Sequence, residues 1–134
     1  MFDFKDKIKV RYVETDQMGV VHHSNYPIYF EAARVHWLEE INLAYHLLEK
    51  DGLMMPIYDM QLKYHAPAYF GDELSVEVAL QELKLTKLKF DYRIFNQNDR
   101  LITTGSTTLA FLNASSRKPV KCPEWLREKL QNAL

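Results

Sequence analysis

The segment YPIYFEAARVHWLEEI, from residue 26 to residue 41, reads as one long helix. Its apolar residues recur at helical spacing, at positions 26, 29, 30, 33, 37 and 41. Other apolar residues, Ile28, Ala32, Val35 and Leu38, fall on the remaining faces of the same helix. A helix that is apolar on most sides is surrounded by other elements rather than laid on a surface. We therefore expect this helix to lie at the centre of the fold.

Alternating apolar and polar residues predict one strand before this helix and four strands after it. The predicted strands cover residues 7–13, 57–69, 73–83, 86–95 and 101–112. Short turns between the later runs, such as residues 97–100, favour an antiparallel meander. Two further helices are predicted, over residues 42–50 and 123–134. A sheet with one apolar face can bury that face by curling around the central helix, which predicts the α+β class.

Composition and charge limit the classes of protein to consider. The chain has 134 residues, so we expect a single domain over residues 1–134. Its 17 basic and 18 acidic residues leave a net charge of −1, which gives no electrostatic case for binding nucleic acid. No apolar run is long enough to span a membrane. Asp3 and Lys5 are unlike the start of a signal peptide, and the lone Cys122 cannot form an internal disulfide, so we expect a cytoplasmic protein.

The loop before the central helix, TDQMGVVHHSNY from residue 15 to residue 26, brings together a carboxylate, a glycine and a helix start. Ser24 or Asn25 can cap that helix. Its free N–H groups and its dipole could stabilise a carbonyl oxygen that gains negative charge. Asp16 beside them could activate water or attack a carbonyl carbon directly. An aspartate in such a loop can also be an ordinary turn residue, and physical reasoning alone leaves both interpretations open.

The same segment resembles the signature of the hotdog-fold acyl-CoA thioesterases of the 4-hydroxybenzoyl-CoA thioesterase and YbgC-like group. That signature is roughly Tyr-x-Asp-Thr-Asp-x-x-Gly-x-Val-x-His-x-x-Tyr, followed by a helix with Glu-x-x-Arg. The matching positions are Tyr12, Thr15, Asp16, Gly19, Val21, His23, Tyr26, Glu31 and Arg34. The departures are Glu14 for the first aspartate, Met18 and His22. The resemblance implies a curved five-stranded antiparallel sheet wrapped around one long helix, and hydrolysis of an acyl-CoA thioester.

The resemblance also implies a role for each matching residue. Asp16 would be the general base or the nucleophile, His23 would assist near the thioester carbonyl, and Tyr12 would orient the site. The start of the central helix, near Asn25, would polarise that carbonyl. The substrate would be contacted by Gly19, Val20, Val21 and Ser24. Coenzyme A enters as part of the substrate, and the implied reaction needs no bound cofactor or metal.

A small basic cluster follows the last predicted strand, at Arg117, Lys118 and Lys121. It could bind the phosphates of coenzyme A, meet an acidic acyl carrier protein, or be an ordinary solvated loop. The resemblance places the active site between two subunits, which implies a homodimer or a homotetramer built as a dimer of dimers. Two alternatives to an acyl-CoA thioesterase stay open: an acyl-carrier-protein thioesterase, and an acyl-thioester binding module that does not hydrolyse.

Three other features have plainer interpretations. Adjacent histidines such as His22 and His23 rarely present both rings to one metal ion, so no metal site is expected. Glu31 and Arg34, three residues apart on the helix, predict a structural ion pair more than a substrate contact. His65 is expected to be a solvated side chain on its strand.

Overall fold

The structure, a computed structural model, describes residues 2–134. Its helices are α1 (Tyr26–Glu40), α2 (Tyr45–Lys50) and α3 (Glu124–Gln131). Its strands are β1 (Phe4–Lys9), β2 (Leu53–Met54), β3 (Ile57–Tyr64), β4 (Glu73–Leu83), β5 (Lys87–Phe95), β6 (Leu101–Ala110) and β7 (Leu112–Asn113). The predicted helices and the predicted strands over 73–83 and 86–95 are confirmed. The interpretation of residues 1–134 as one domain stays a prediction, and residue 1 lies outside the described range.

Five strands form one antiparallel sheet in the order β1-β4-β5-β6-β3. Only β4, β5 and β6 form a meander, and β3 pairs with β6 at the far edge rather than with β4. The predicted meander of four consecutive strands is therefore wrong at its first step. The cause lies in burial: Leu74, Val76 and Val78 of β4 are wholly buried, as in an interior strand, whereas most side chains of β3 are exposed. Alternation alone does not report which strand lies beside which.

Helix α1 packs on one face of the sheet, here called the inner face, mainly over β4 and β1. The ring of Phe30 stacks on that of Tyr92 in β5 with 4.3 Å between centroids. Trp37 meets Phe90 edge to face at 5.2 Å. A Cβ atom at Gly105 of β6 would lie 2.7 Å from the Phe30 ring, so the helix can approach the sheet only because that position is glycine. The predicted long helix against an antiparallel sheet is confirmed.

The expectation that α1 is covered on most sides is wrong. Its buried residues lie on the side that meets the sheet, while Ile28 is 57% exposed and Val35 is only half buried. The sheet covers one side of the helix, and the short α2 and α3 do not enclose the rest. An apolar residue on a second face thus marks surface that this chain leaves uncovered.

The first strand ends at Lys9 rather than at residue 13. Val10 still exchanges backbone hydrogen bonds with the turn at Gly71 and Asp72. The next amide, that of Arg11, donates instead to the carboxylate of Glu14 at 2.9 Å, and a single 3₁₀ turn follows over Tyr12–Glu14. Tyr12, which falls within the predicted strand, lies in this turn and is exposed.

Two other predicted strands are also too long. β3 ends at Tyr64 because the amides of His65 and Ala66 both donate to the carbonyl of Ile102, and Pro67 has no amide to extend the ladder. β6 ends at Ala110, and residues 112–113 leave the main sheet to pair as β7 with β2. Among residues 2–134, no helix is both long and apolar enough to cross a membrane.

Candidate active site

The loop between β1 and α1 is closed by a tight turn around Asp16. The amide of Asp16 donates to the carbonyl of Val20 at 2.8 Å, and that of Gly19 donates back to the Asp16 carbonyl at 3.0 Å. Gly19 has a φ of +80°, a conformation that L side chains rarely adopt, so glycine suits this turn. The carboxylate oxygen Oδ1 accepts the amide of Met18 at 2.8 Å. Oδ2 has no hydrogen-bond partner among the described residues, so Asp16 is both a turn residue and a carboxylate with one free oxygen.

Glu14 anchors this loop, a role that the sequence did not reveal. Its side chain is 7% exposed and accepts hydrogen bonds from the Arg11 amide, the Arg11 guanidinium and, at 2.9 Å, the Tyr29 hydroxyl. Burial alone would raise the pKa of Glu14, but these donors outweigh it and hold the pKa below its ordinary value. Burial and the neighbouring carboxylate raise the pKa of Tyr29. Glutamate in place of the family's aspartate therefore fixes the loop to α1 from inside.

A second tie fixes the loop to the start of the helix. A 3₁₀ turn over His23–Asn25 runs directly into α1. Neither predicted helix cap forms. The side-chain amide of Asn25 donates to the backbone carbonyl of Glu14 at 2.9 Å, and the Ser24 hydroxyl lies 2.8 Å from Nδ1 of the His22 ring. The His22 ring instead accepts the amide of Ser24 at 3.2 Å. The backbone N–H of His23 has no acceptor among the described residues, so a free donor remains at this helix start.

Asp16 and His23 line one open groove of about 380 Å³. Val20 and Val21, both predicted to contact substrate, line it with them. The groove has further walls that sequence reasoning did not assign: Met18, Tyr26, Tyr64, His65, Ala66 and Pro67. The last four reach the groove only because β3 ends beside the loop, a placement that no local pattern reveals. His65 is therefore a groove residue as well as an exposed one, with its Nε2 atom 2.8 Å from the Thr104 hydroxyl.

Tyr12 lies outside this groove. It is 76% exposed and contacts the ring of Phe70 edge to face at 5.7 Å. With Val13, Thr15 and Asp16 it lines a separate shallow depression on the other side of the loop. Asp16 is thus shared by two surfaces, and the orienting role of Tyr12 stays a prediction. Ser24 likewise faces His22 rather than the groove, so its substrate contact also stays a prediction.

Arg117 and Lys118 lie at the opposite end of the sheet from Asp16. Their loop follows β7, beyond the Ile57 end of β3, whereas the groove lies at the Tyr64 end. Seven residue steps along β3 separate the two ends by roughly 23 Å at the ordinary rise of a strand. Within one chain the structure does not bring the basic loop to the carboxylate, and its role in binding stays a prediction.

The predicted ion pair between Glu31 and Arg34 is wrong. Glu31 is exposed, and the guanidinium of Arg34 turns under the helix to donate to the Tyr92 hydroxyl at 2.9 Å. That hydroxyl also lies 2.7 Å from the hydroxyl of Thr107, so Arg34 joins a buried polar cluster rather than the surface. An i,i+3 spacing permits an ion pair on the helix surface. In the folded chain Arg34 instead hydrogen-bonds the Tyr92 hydroxyl of the sheet, in a buried environment where such a bond is stronger than in water.

Two other chemistries find little support in the geometry. Cys122 is buried, and burial raises the pKa of its thiol to about 11, far from that of a reactive thiolate. Among residues 2–134, no three His, Cys, Asp or Glu side chains are grouped as metal ligands. The His22 and His23 rings pack on each other at 4.2 Å instead of converging on one point. That the reaction needs no metal or cofactor remains a prediction.

Comparison with known proteins assigns the chain to a family. The family model of the Thioesterase-like superfamily matches residues 10–130. The acyl-CoA thioesterase YbgC of Haemophilus influenzae is 30% identical over 122 residues, covering 90% of this chain and 89% of that protein. The crystal structure of hypothetical protein TT1821 from Thermus thermophilus is 39% identical, with a TM-score of 0.92 over 97% of this chain and 98% of that one. A DHNA-CoA thioesterase from Staphylococcus aureus is 30% identical, with a TM-score of 0.90 over 96% and 88% of the two chains. The predicted hotdog fold is confirmed.

Proposed function

Because the chain belongs to the thioesterase-like superfamily and is a thioester hydrolase, we propose that it hydrolyses an acyl-CoA thioester in the Asp16 groove, with Asp16 as the catalytic carboxylate. One observation carries the proposal. Asp16, with its free Oδ2 atom, and His23, with its free backbone N–H, line the same groove, beside the start of a 15-residue helix. A carboxylate beside a preorganised N–H donor is the arrangement that acyl transfer requires.

In the general-base form of this reaction, Oδ2 of Asp16 takes a proton from a water molecule as its oxygen attacks the thioester carbon. The carbonyl oxygen gains negative charge and accepts a hydrogen bond from the His23 N–H, with the α1 dipole adding to the effect. The tetrahedral intermediate then breaks its C–S bond, the acid leaves, and the thiolate of coenzyme A takes up the proton. In this form the groups that act on the thioester are Asp16, the His23 N–H and one water molecule.

In the nucleophilic form, Oδ2 itself attacks the thioester carbon and expels the thiolate. The product is a mixed anhydride between the acyl group and Asp16, which water then opens to release the acid and regenerate the carboxylate. Both forms use the same free oxygen. They differ in where the water oxygen goes, because turnover in ¹⁸O-water can label Asp16 only if the anhydride is opened at the aspartyl carbon.

We further propose that a second copy of the chain pairs with the free edge of β3. β3 has no neighbouring strand on this side among the described residues, and Tyr58 and Tyr64 are 65% and 51% exposed there. The other edge of the sheet, β1, carries alternate lysines that discourage pairing. Two copies of β3 related by a two-fold axis run antiparallel and extend the sheet through both subunits.

Such pairing would bring the basic loop to the carboxylate. In an antiparallel pair, the Ile57 end of one β3 lies beside the Tyr64 end of the other. The Arg117 loop of one subunit would thus approach the Asp16 groove of its partner, where two positive charges could hold the phosphates of coenzyme A. The carboxylate and the phosphate-binding residues would then come from different chains, and a homotetramer would contain two such pairs.

The test of the hydrolase proposal is a thiol-release assay over short, long and aromatic acyl-CoA thioesters, run on wild type and Asp16→Asn. We expect release from at least one class, and a loss of about 10²-fold or more in kcat for Asp16→Asn. Asp51→Asn, an exposed carboxylate beyond α2, is the matched control and should behave as wild type. No thiol release from any thioester would overturn the proposed reaction, and full activity in Asp16→Asn would overturn the assignment of Asp16.

The same assay separates the alternatives. Acyl groups offered on coenzyme A and on acyl carrier protein distinguish the two carriers by their kcat/KM. A non-hydrolytic binding module would bind acyl-CoA but release no thiol at any concentration. A dilution series that follows mass and activity together tests the oligomer, since a monomer that retains full specific activity would rule out a shared site.

A further inference from the structure

Arg34 is a buried cation that has no counter-ion within this chain. The residue is only 8% exposed, and one of its N–H groups donates to the Tyr92 hydroxyl at 2.9 Å. Its guanidinium takes part in no ion pair among residues 2–134. A charged side chain is seldom buried in a protein unless an opposite charge compensates it. A single copy of the chain therefore leaves this charge uncompensated.

The guanidinium lies on the flank of α1 that is turned toward β3. The Tyr92 hydroxyl that it contacts is 2.7 Å from the hydroxyl of Thr107 on β6, the strand next to β3. On the opposite flank of α1, His36 meets Asp6 of the far edge strand β1, with 2.7 Å between Nδ1 and Oδ2. Nε and Nη2 of Arg34 make no hydrogen bond in the described chain, and neither is fully enclosed. These two groups are thus available to an acceptor that comes from the side of the free β3 edge.

Glu31 lies on the same flank of α1 and also has no partner. At about 3.6 residues per turn, positions 31 and 34 are roughly 60° apart around the helix, whereas positions 31 and 36 are roughly 140° apart. Glu31 is exposed and takes part in no ion pair among the described residues. Each chain thus presents a free carboxylate beside an uncompensated guanidinium. Such a surface is complementary to a second copy of itself.

The charges on β3 indicate where a two-fold axis would lie. Asp59 and Lys63 are exposed on one face of the strand with Gln61 midway between them, and neither forms an ion pair in the described chain. Two antiparallel β3 strands that meet at Gln61 place each lysine opposite the aspartate of the other strand. Gln61 is next to Met60, whose cross-strand partner Thr107 belongs to the buried polar cluster around the guanidinium. The axis would therefore pass beside that cluster.

We propose that Arg34 of each subunit forms an ion pair with Glu31 of the partner subunit, across a two-fold axis beside Gln61. The inference rests on the pairing of two copies through β3 in the proposed function. A two-fold axis makes the two α1 helices antiparallel, so position 31 of one helix comes level with position 34 of the other. Both side chains are long and can cross the space above the paired strands. The two ion pairs would compensate both buried guanidinium groups and hold the central helices together.

An exchange of charge between the two positions separates a pair between chains from a pair within one chain. Glu31→Arg and Arg34→Glu are expressed with different affinity tags, each alone and both together. Each homodimer sets like charges against each other, whereas in the heterodimer every position 31 meets the opposite charge at position 34. We expect each homodimer to associate at least about tenfold more weakly than wild type. In native mass spectrometry the mixture should hold, relative to either homodimer, at least about tenfold more heterodimer than random pairing gives.

Glutamine variants guard against a folding defect, because glutamine can still donate to the Tyr92 hydroxyl but carries no charge. Glu31→Gln and Arg34→Gln should each weaken dimerisation by about tenfold, and the double variant should be no weaker than Arg34→Gln alone. Glu40→Arg, at an exposed position on the opposite side of α1 from Glu31, is the matched control and should leave dimerisation unchanged. Near-ultraviolet circular dichroism checks the fold of every variant.

Each outcome bears on one claim. Random pairing of the two charge variants, the result expected if a bound anion compensates Arg34, would overturn the inference, as would glutamine losses that simply add. A wild type that stays monomeric at micromolar concentration would overturn both the inference and the proposed pairing. A wild-type dimer that releases thiol from acyl-CoA while its variants pair at random leaves the proposed reaction standing. Preferred heterodimers without thiol release by wild type would refute the reaction alone.

Discussion

Replacement of Glu14 by alanine should destabilise the chain more than any other single change of a carboxylate in this loop. Its carboxylate accepts hydrogen bonds from the Arg11 amide at 2.9 Å, the Arg11 guanidinium at 2.9 and 3.0 Å, and the Tyr29 hydroxyl at 2.9 Å. Three of these hydrogen bonds come from Arg11, whose side chain is mostly exposed and can hydrogen-bond water instead. The fourth donor, Tyr29, is buried and would be left without an acceptor.

The expected loss in the free energy of unfolding depends on the exposure of each donor. A hydrogen bond to a charged group contributes about 1.5–3 kcal/mol, and an orphaned buried hydroxyl costs about 1–3 kcal/mol. The Arg11 side chain is 74% exposed, so its ion pair contributes little after solvent screening. We expect Glu14→Ala to lower the free energy of unfolding by about 3 kcal/mol. In the double variant with Tyr29→Phe the loss should be smaller than the sum of the two, because the orphaned hydroxyl is then absent.

The assay is urea unfolding at one fixed protein concentration, at neutral pH and at successively lower pH. Because the pKa of Glu14 is lowered in the folded chain, its contribution is complete above the pKa of the unfolded chain. It is lost as the pH falls through the folded value. The difference between wild type and Glu14→Ala should therefore narrow below about pH 4.

A matched control is Glu40→Ala, an exposed carboxylate of α1, which should change stability by no more than about 0.5 kcal/mol. Equal losses for the Glu14 and Glu40 variants would refute the claim that burial and the Tyr29 bond make Glu14 the anchor. A gap that stays constant as the pH falls would refute the assigned direction of its pKa.

Three further predictions concern packing and the thiol. Gly105→Ala should cost about 1–3 kcal/mol in thermal unfolding because its Cβ would lie 2.7 Å from the Phe30 ring, and a neutral effect would contradict the tight helix–sheet contact. Tyr92→Phe should cost about 1–3 kcal/mol in urea unfolding because it removes the acceptor of the buried Arg34, and an unchanged midpoint would contradict that bond. Cys122, with a pKa of about 11, should be alkylated at pH 8 far more slowly in the folded chain than in urea, as mass spectrometry can follow, and equal rates would contradict its burial.

Sequence patterns predicted the bounds of helices and strands better than they predicted which strands pair with each other. The periodicity of residues 26–41 located α1 to within one residue, and alternation located β4 to its observed bounds. The same alternation could not tell that β3 lies at an edge, because a period of two describes a strand on its own. The alternating pattern also continued beyond Lys9, where the observed strand ends. There the backbone amide of Arg11 donates to the Glu14 carboxylate instead of to a neighbouring strand.

The same distinction applies to the candidate active site, where some residues are neighbours in sequence and others meet only through the fold. Asp16, Gly19 and His23 stand close together in the chain, so a local motif could mark them. Tyr64 and His65 are distant in sequence and reach the groove only through the pairing of β3 with β6.

The most direct test of a site shared between two chains is complementation in a mixed dimer. Asp16→Asn is co-expressed with the double variant Arg117→Ala/Lys118→Ala, each with its own affinity tag, and the heterodimer is isolated by two purification steps. Thiol release is measured below the KM for acyl-CoA. Both parent dimers should be nearly inactive, and the heterodimer should regain about half of the wild-type activity, because one of its two sites has both loops intact. A heterodimer as inactive as its parents, or a basic-loop variant with full activity, would contradict a carboxylate and a phosphate-binding loop contributed by different subunits.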